Sequence, residues 1–368
     1  MVQSSVKITL IVLLYNAQET VEALVDAALA QCHPFFPRQS DWLDIVFMDD
    51  SSRDATLTLL DRALERAGHP SHIRTVANER NIGLSGVLNK AFGLTRTPYG
   101  LTCHLDVLFG RSDYVAQMLA LMEAHPEAGA ITGQPQISPK AKISTAEKFN
   151  IIANLMDIFP GERTDTLIPV GFAEGRCDVF RLEALRKAGF WDTTLRVSGE
   201  DQILAARMRE QGYEIYQAPW LFYYLSVSGE QNSICKLLKH AHLFGRTQPY
   251  ILLSSKKSLA GVTGETSGAN RQARLLLRAS HLLGSFAWFV AVIGLCMGLP
   301  AYGWALPLLG VVVFKGMLFR RHVAEVSMGL REILFFLVFF PLQDICYTAG
   351  LVQGIWSYFR SAKGCAIR

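Results

Sequence analysis

Two carboxylates, Asp49 and Asp50, close an apolar run at 45–48, and Ser51, Ser52, Arg53 and Asp54 follow at once. Carboxylates at the carboxyl edge of a buried parallel strand stand where open α/β folds bind nucleotides. With Asn16 at the end of the preceding apolar run, Asp50 is placed to accept a hydrogen bond from a base or ribose. Helix capping accounts for Ser52 or Asp54, but not for adjacent carboxylates at a strand end. A second acidic point is Asp106, with His104 on what reads as the same face of an extended strand. A magnesium or manganese ion takes few protein oxygens and leaves its other positions to phosphate and water, so Asp106 is the expected metal ligand, with His104 as its neighbour. A third point is Glu200 and Asp201 at the head of a helical run. The helix dipole favours acids there, and Asp201 is also placed to act as a general base. Glu174 and Arg176 flank Gly175 in a loop carrying both signs of charge, and Arg246, with Lys239 and His242, is placed to screen a diphosphate or to face anionic lipid. Nucleoside recognition, a cation on a departing diphosphate and a base for an acceptor hydroxyl are together what sugar transfer from a nucleotide requires.

The elements that position these residues follow from periodicity. From residue 7 to about 110, short apolar runs alternate with amphipathic helical patterns, the signature of βαβ units and a parallel sheet. Strands are expected at 8–14, 45–48, 73–76 and 99–105. Helices are expected at 17–31, at 55–67 with Leu57, Leu60 and Leu64 inward, and after the turn at 81–86 through Phe92. From 127 to 225 the pattern is mixed, with strands near 128–132, 177–181 and 214–217 and helices near 182–188 and 201–210. Helical patterns at 147–159 and 234–244 are amphipathic, suited to a membrane interface or to packing on the globular domain. The first strand leads into Tyr15-Asn16-Ala17-Gln18 and not into a GxGxxG turn, which disfavours a nicotinamide dehydrogenase.

At 368 residues the chain exceeds one small domain, and 50% hydrophobic with 18% charged residues is apolar for a soluble protein. The mean hydropathy is +0.21. The excess lies after residue 281, which divides the chain into a catalytic domain at 1–230, an interfacial helix and linker at 231–280, and a membrane region at 281–368. The stretch 282–319 fits two helices turning near Pro300, while 333–359 is long enough to cross but contains Pro341 and Asp344 and precedes Arg360, Lys363 and Arg368. A full third crossing would place that basic tail outside, so a broken or re-entrant segment is the alternative. Residues 1–7 are short and polar, no secretory signal is read, and the basic flanks of the hairpin place the catalytic part in the cytosol. Seven scattered cysteines without CxxC spacing point to neither zinc nor a disulfide framework. The net charge of +4 is mild, and no nucleic-acid partner is expected.

With these residues in place, 7 to about 225 resembles a family 2 glycosyltransferase of the GT-A fold. The resemblance rests on Val12 through Asn16 with Glu19, on Asp49 through Thr56, on Asn81 through Ser85 with Asn89, and on Leu105-Asp106. It continues from Glu174 through Phe180-Arg181, Gly189 through Asp192 and Gly199 through Asp201 to Arg207 and Gly212-Tyr213. It implies an α/β GT-A domain with C-terminal transmembrane helices, nucleotide contact by Asp50, a metal motif at Asp106 and a catalytic base at Asp201. It also implies that Asn16, Glu19, Asp49, Asn81, Ser85, Glu174, Arg176 and Arg246 belong to the nucleotide-sugar site, and that Glu200 stands beside the base. Where the family usually has a second metal ligand, two positions after the aspartate, stands Leu108, which leaves Asp106, His104 and donor phosphates to hold the ion. The whole chain looks similar to the membrane-associated glycosyltransferases of bacterial exopolysaccharide assembly, of the succinoglycan type. That implies a UDP-sugar donor, a polyprenyl-linked saccharide acceptor, Mg2+ or Mn2+, and a bacterial inner membrane location with a cytoplasmic catalytic domain. Direct transfer to polyprenyl phosphate, or a non-catalytic nucleotide-binding subunit, are the alternatives. Two or three apolar segments are few for the channel that processive synthesis needs.

Overall fold

A computed structural model describes residues 6–138, 143–154, 156, 164–195, 199–225, 233–254 and 268–361. Strand β1 (Ile8–Leu14) is buried on both faces, which is why it reads as a continuous apolar run and not an alternating one. Its Ile8, Leu10, Val12 and Leu14 face one core with α1 (Val21–Leu29) and α2 (Thr56–Arg66). Ile11 and Leu13 face the other, with α3 (Leu84–Leu94), α6 (Leu182–Ala188) and α7 (Glu200–Glu210). The period of two thus assigns each helix to a layer.

The parallel strands β2 (Leu43–Asp49), β3 (Ile73–Ala77) and β4 (Tyr99–Cys103) complete the expected half-domain, in the order β3-β2-β1-β4. The order then continues through β8 (Asp178–Arg181), β6 (Ala128–Ile137), β9 (Glu214–Leu225) and β5 (Val107–Phe109), with β7 (Ile168–Pro169) paired to β9. β8 runs antiparallel to both β4 and β6, so the sheet is mixed beyond its first four strands. α4 (Tyr114–Ala124) covers the same face as α1 and α2.

Several expectations are corrected. Leu57 is 37% exposed, and Thr56 and Ala63 join Leu60 and Leu64 on the inner face of α2. β4 stops at Cys103, and a turn in which Val107 N donates to His104 O at 3.1 Å replaces the expected extension to 105. β9 continues to Leu225, not 217, because its register against β6 jumps from Gly133–Ala218 to Gln134–Phe222 and accommodates Pro219 in the irregularity.

Helix α5 (Thr145–Ala153) opens with a Ser144–Glu147 capping box; residues 157–159 of the expected helix lie outside the described residues. α8 (Ile234–Ser254) runs ten residues past its expected end. Of the expected linker at 254–273, residues 255–267 lie outside the described residues, and Gly268 already begins α9 (Gly268–Cys296). α9 and α10 (Ala301–Glu325) form the expected hairpin, and α11 (Leu330–Ser361) continues unbroken through Pro341, which rules out a broken segment. Leu276–Cys296, Ala301–Glu325 and Leu330–Arg360 are each long and apolar enough to cross a membrane.

Candidate active site

At the ends of β1 and β2, two loops are laced together by short polar side chains. Asn16 and Ser51 both take left-handed backbone conformations, φ 50° and 66°, which Asn adopts more readily than most residues. Asn16 N donates to Ser52 Oγ at 2.9 Å, and Arg53 N donates to Asn16 Oδ1 at 2.9 Å. Ala17 N donates to Thr56 Oγ1 at 2.7 Å, Gln18 N to Asp54 Oδ2 at 3.2 Å, and Ala55 N to Gln18 Oε1 at 3.2 Å. Asp49 accepts from Ser52 N at 3.0 Å on one oxygen and from Ser52 Oγ on the other. Its carboxylate is thus occupied by its own turn. The hydrogen bonds to Thr56 and Gln18 hold the Asp54 carboxyl below its ordinary range, against the opposing effect of desolvation.

Asp50 reaches further. Its Oδ1 accepts from Asn78 Nδ2 and Ile82 N, both at 2.9 Å, and its Oδ2 accepts from Gly83 N at 3.0 Å. Lys90 Nζ donates to Asn78 Oδ1 at 2.6 Å and fixes the asparagine in turn. Three of roughly four acceptor directions are filled, so Asp50 ties the turn before α3 to the end of β2 and keeps one direction on Oδ2 for a ligand. Asn81 bonds the Asp50 carbonyl at 3.4 Å, Ser85 is buried in the first turn of α3, and Glu19 is exposed at the head of α1. Asn78 and Lys90, which support Asp50, carry no local sequence signal, because both contacts are non-local.

The second half of the site lies beyond β4. His104 and Asp106 occupy the turn after Cys103, and two buried atoms, His104 Nε2 and Asp106 Oδ1, have no hydrogen-bond partner among the described residues. Burial lowers the His104 pKa to about 4, outweighing the pull of Asp106, so the ring is neutral at pH 7 and can present a lone pair. An unpartnered carboxylate oxygen beside a neutral imidazole nitrogen suits a divalent cation. Among the described residues no third acidic, histidine or cysteine side chain joins them. Leu108 lies in β5, opposite Tyr224, and is 39% exposed. Arg176 stands beside Asp106, 3.8 Å from it and 3.7 Å from Glu174, and its backbone N donates to Asp178 Oδ2 at 3.2 Å. Burial pushes the Asp178 carboxyl up to about 7. Sequence reasoning missed Asp178; an acid at the start of an otherwise apolar strand was the available signal.

Asp201 sits in the first turn of α7, after Gly199 at φ 96°. Trp191 Nε1 donates to Asp201 Oδ1 at 2.9 Å. The indole is held in turn: Asn89 accepts from Trp191 N at 3.0 Å and donates to its carbonyl at 2.8 Å, while Phe92 and Phe180 pack at 5.4 and 5.1 Å. Desolvation first, and then the Glu200 charge, push the Asp201 carboxyl well above the usual range despite the indole hydrogen bond. Burial also raises Glu200, whose Oε2 has no partner among the described residues. A Cβ on Gly175 would lie 3.9 Å from Asp201 Oδ1, so the loop 174–176 passes close to Asp201 at its middle and pairs with Asp106 at its end. The structure thereby brings Asp201, Glu174, Arg176 and Asp106 into one cleft.

Arg246 has no hydrogen bond or ion pair to Asp106 or Asp201 among the described residues. Its backbone lies where α8 crosses α11, against Gly354, and its side chain makes no hydrogen bond or ion pair among the described residues. The part of α8 that reaches the site is its end: Ile251 packs on Gly199, and Tyr250 OH donates to Asp192 Oδ2 at 3.2 Å.

Residues 9–189 match the family described as glycosyl transferase family 2. Curated relatives include the poly-beta-1,6-N-acetyl-D-glucosamine synthase of Staphylococcus aureus (strain COL), 25% identical over 217 residues, 58% of this chain and 48% of that protein. The synthase of the same name from Staphylococcus epidermidis is 25% identical over 210 residues, 56% of this chain and 46% of that protein. The chain thus spans about half the length of the curated relatives it matches. Among solved structures, the mannosyltransferase PcManGT from Pyrobaculum calidifontis, in complex with GDP-Man and Mn2+, superposes with a TM-score of 0.56 at 16% identity, over 95% of this chain and 87% of that one. That likeness concerns the fold. Residues 9–189 thus carry a glycosyl transferase family 2 domain, on a fold of the GT-A type.

Proposed function

We propose that this protein is an inverting glycosyltransferase that moves one sugar from a nucleotide donor, a UDP-sugar, to a hydroxyl of a polyprenyl-diphosphate-linked saccharide at a bacterial inner membrane, with its catalytic domain in the cytoplasm. The observation that carries the reading is the Asp201 carboxylate, fixed on one oxygen by Trp191 and joined through the loop 174–176 to the cation-suited pair Asp106 and His104. Trp191 orients Asp201 and leaves Oδ2 to take the proton of the acceptor hydroxyl. The acceptor oxygen then attacks the anomeric carbon on the face opposite the leaving diphosphate, and the bond from that carbon to the diphosphate oxygen breaks. Asp106 and His104 would hold Mg2+ or Mn2+, which when bound supplies positive charge to the departing diphosphate. Arg176, already beside Asp106, adds a fixed positive charge on the same side of the cleft. Asp50 offers its remaining acceptor direction to the nucleoside, between Asn16 and Asn81.

The names of the curated relatives make UDP-N-acetylglucosamine the first donor to test. A polyprenyl phosphate acceptor is already anionic and needs little help from a base, so the buried, oriented Asp201 favours a hydroxyl. The test is transfer of label from UDP-, GDP- and TDP-sugars into a membrane lipid extract, with manganese, magnesium or chelator. Label entering the lipid fraction from one donor, and only with a cation, supports the reading. Folded protein that binds nucleotide yet transfers nothing with any donor or extract contradicts it.

A further inference from the structure

By length and composition α11 could be a third membrane crossing, but its packing partners place it otherwise. Near its start, Glu332 accepts from Thr145 Oγ1 at 2.9 Å and pairs with Lys148 at 2.9 Å, and Phe335, Phe336 and Phe339 surround Phe149 of α5 at 5.8, 4.7 and 5.2 Å. Its second half runs parallel to α8. A Cβ on Gly350 would collide with the His242 carbonyl, one on Gly354 with the Arg246 carbonyl, and the Tyr358 ring lies 6.4 Å from Tyr250. α8 is itself fastened to the catalytic domain near both ends, by Leu237 in the main core and by Ile251 against Gly199. α11, 32 residues or about 48 Å long, is therefore held on α5 near its start and along α8 over its second half, with its middle against the α9–α10 hairpin. A helix whose start and end are both held by elements fastened to the catalytic domain does not have those ends on opposite sides of a hydrocarbon layer about 30 Å thick.

Building on the membrane-bound reading above, we propose that α11 lies in the plane of the membrane surface beneath α5 and α8, its outer face in lipid, so that the C-terminus stays on the side of the catalytic domain. The outer face fits a bilayer. Leu334, Val338, Ile345, Val352 and Trp356 form one stripe at helical spacing, all between 49% and 62% exposed, and no charged residue is exposed between Arg331 and Arg360. The stripe is continuous in character with the exposed apolar surface of the α9–α10 hairpin, where Phe286, Phe289, Leu306 and Val313 face outward.

Two further observations separate a flat helix from a crossing one. Asp344 lies near the middle of α11, where it pairs with His281 of α9 at 2.6 Å and with Lys315 of α10. A crossing helix would carry this cluster to the bilayer midplane, where charge is most costly. A flat one keeps it at headgroup depth, where the hairpin enters. The flat position also keeps Arg360 on the catalytic side.

The test is nitroxide depth on the full chain in vesicles of phosphatidylcholine and phosphatidylglycerol. Labels are carried one at a time by Leu334→Cys, Val338→Cys, Ile345→Cys, Val352→Cys and Trp356→Cys, with exposed native cysteines replaced by serine. The proposal expects all five at one shallow depth, about 5–10 Å below the headgroups. A profile deepest at Ile345, with Leu334 and Trp356 near opposite surfaces, overturns it. So do labels that never meet lipid, which would mean that a second copy or another protein covers the face. An unsubstituted chain with a C-terminal tag gives an independent reading in sealed vesicles whose catalytic domains face outward. The tag should be cleaved by added protease, and its protection would contradict the flat position. Neither readout depends on turnover, so a failure here leaves the transferase reading to be judged by its own assay.

Discussion

The two halves of the cleft treat their polar groups in opposite ways. At the ends of β1 and β2, Asn16 and Asp54 spend their side chains on each other's loops, Asp49 spends its carboxylate on its own turn, and Asp50 has three of its acceptor directions filled from within the chain. Beyond β4 and at the head of α7, Asp106, His104 and Glu200 keep buried atoms that have no partner among the described residues, where Asp201 takes one side-chain hydrogen bond, from Trp191. A satisfied polar network stabilises the fold, whereas a buried polar atom left unpaired costs about 1–3 kcal/mol, a cost that persists where a ligand will meet it. Apart from the one acceptor direction that Asp50 keeps open, the first half is built to hold shape, and the second to meet substrate. Substitutions in the first half should therefore cost stability, and those in the second should cost turnover.

The largest effect is expected at Asp201. Asp201→Asn should lower transfer by about 10³-fold, within the range for loss of a general base. In the wild type, transfer should rise with pH through the raised Asp201 pKa, because only the ionised carboxylate accepts a proton. The stability contribution has the opposite sense. A carboxyl whose folded pKa is raised favours the folded state at low pH, and that contribution is lost as pH climbs from the ordinary carboxylate value through the raised one. A pH–rate profile beside a pH–stability series checks both signs.

Asp106→Ala should come next, lowering transfer by about 10²-fold and weakening manganese binding. His104→Ala, which removes the neutral nitrogen beside Asp106, should weaken manganese binding by about tenfold. Titration of the paramagnetic ion measures both without turnover. A variant that binds manganese as the wild type does would remove that residue from the metal site. Trp191→Phe keeps the aromatic packing but removes the indole donor, whose hydrogen bond holds the Asp201 pKa down. Its rate profile should shift to higher pH, with about a tenfold loss at neutral pH. An unshifted profile would mean that the indole packs without tuning the base. The smallest effect on turnover is expected at Asp49. Asp49→Ala should keep kcat/KM within about threefold while losing about 1–2 kcal/mol of stability, since Ser52 loses both acceptors. A large loss of donor affinity instead would return Asp49 to the nucleotide site.

What the sequence disclosed and what it withheld divide by distance along the chain. The strand ends at Asn16 and Asp50 and the helix head at Asp201 were legible because local periodicity marks where a buried strand stops and a helix begins. The lacing of the first two loops was not, since Asn16 and Arg53 are neighbours only after β1 and β2 pair. His104 and Asp106 were read on one strand face, yet the strand ends at Cys103 and a turn carries both. The strand read near 214–217 runs on to Leu225 because an irregular register past Gly133 keeps it paired to β6. The charge of Arg246 offered it to the diphosphate or to anionic lipid, but nothing in that segment showed that Gly245, Gly350 and Gly354 let α8 lie against α11. Close helix approach through glycines is a pairwise property, and one segment read alone does not reveal its partner.

The most direct measurement sets Asp201→Asn beside Asp49→Asn, recording transfer of labelled sugar and thermal midpoint on the same preparations. The account predicts that Asp201→Asn loses transfer with an unchanged or higher midpoint, because a buried charge is replaced by a neutral group of the same shape, and that Asp49→Asn keeps transfer with a lower midpoint. Transfer that survives Asp201→Asn, or vanishes only in step with a falling midpoint, would contradict the division of the cleft into a half that builds and a half that reacts.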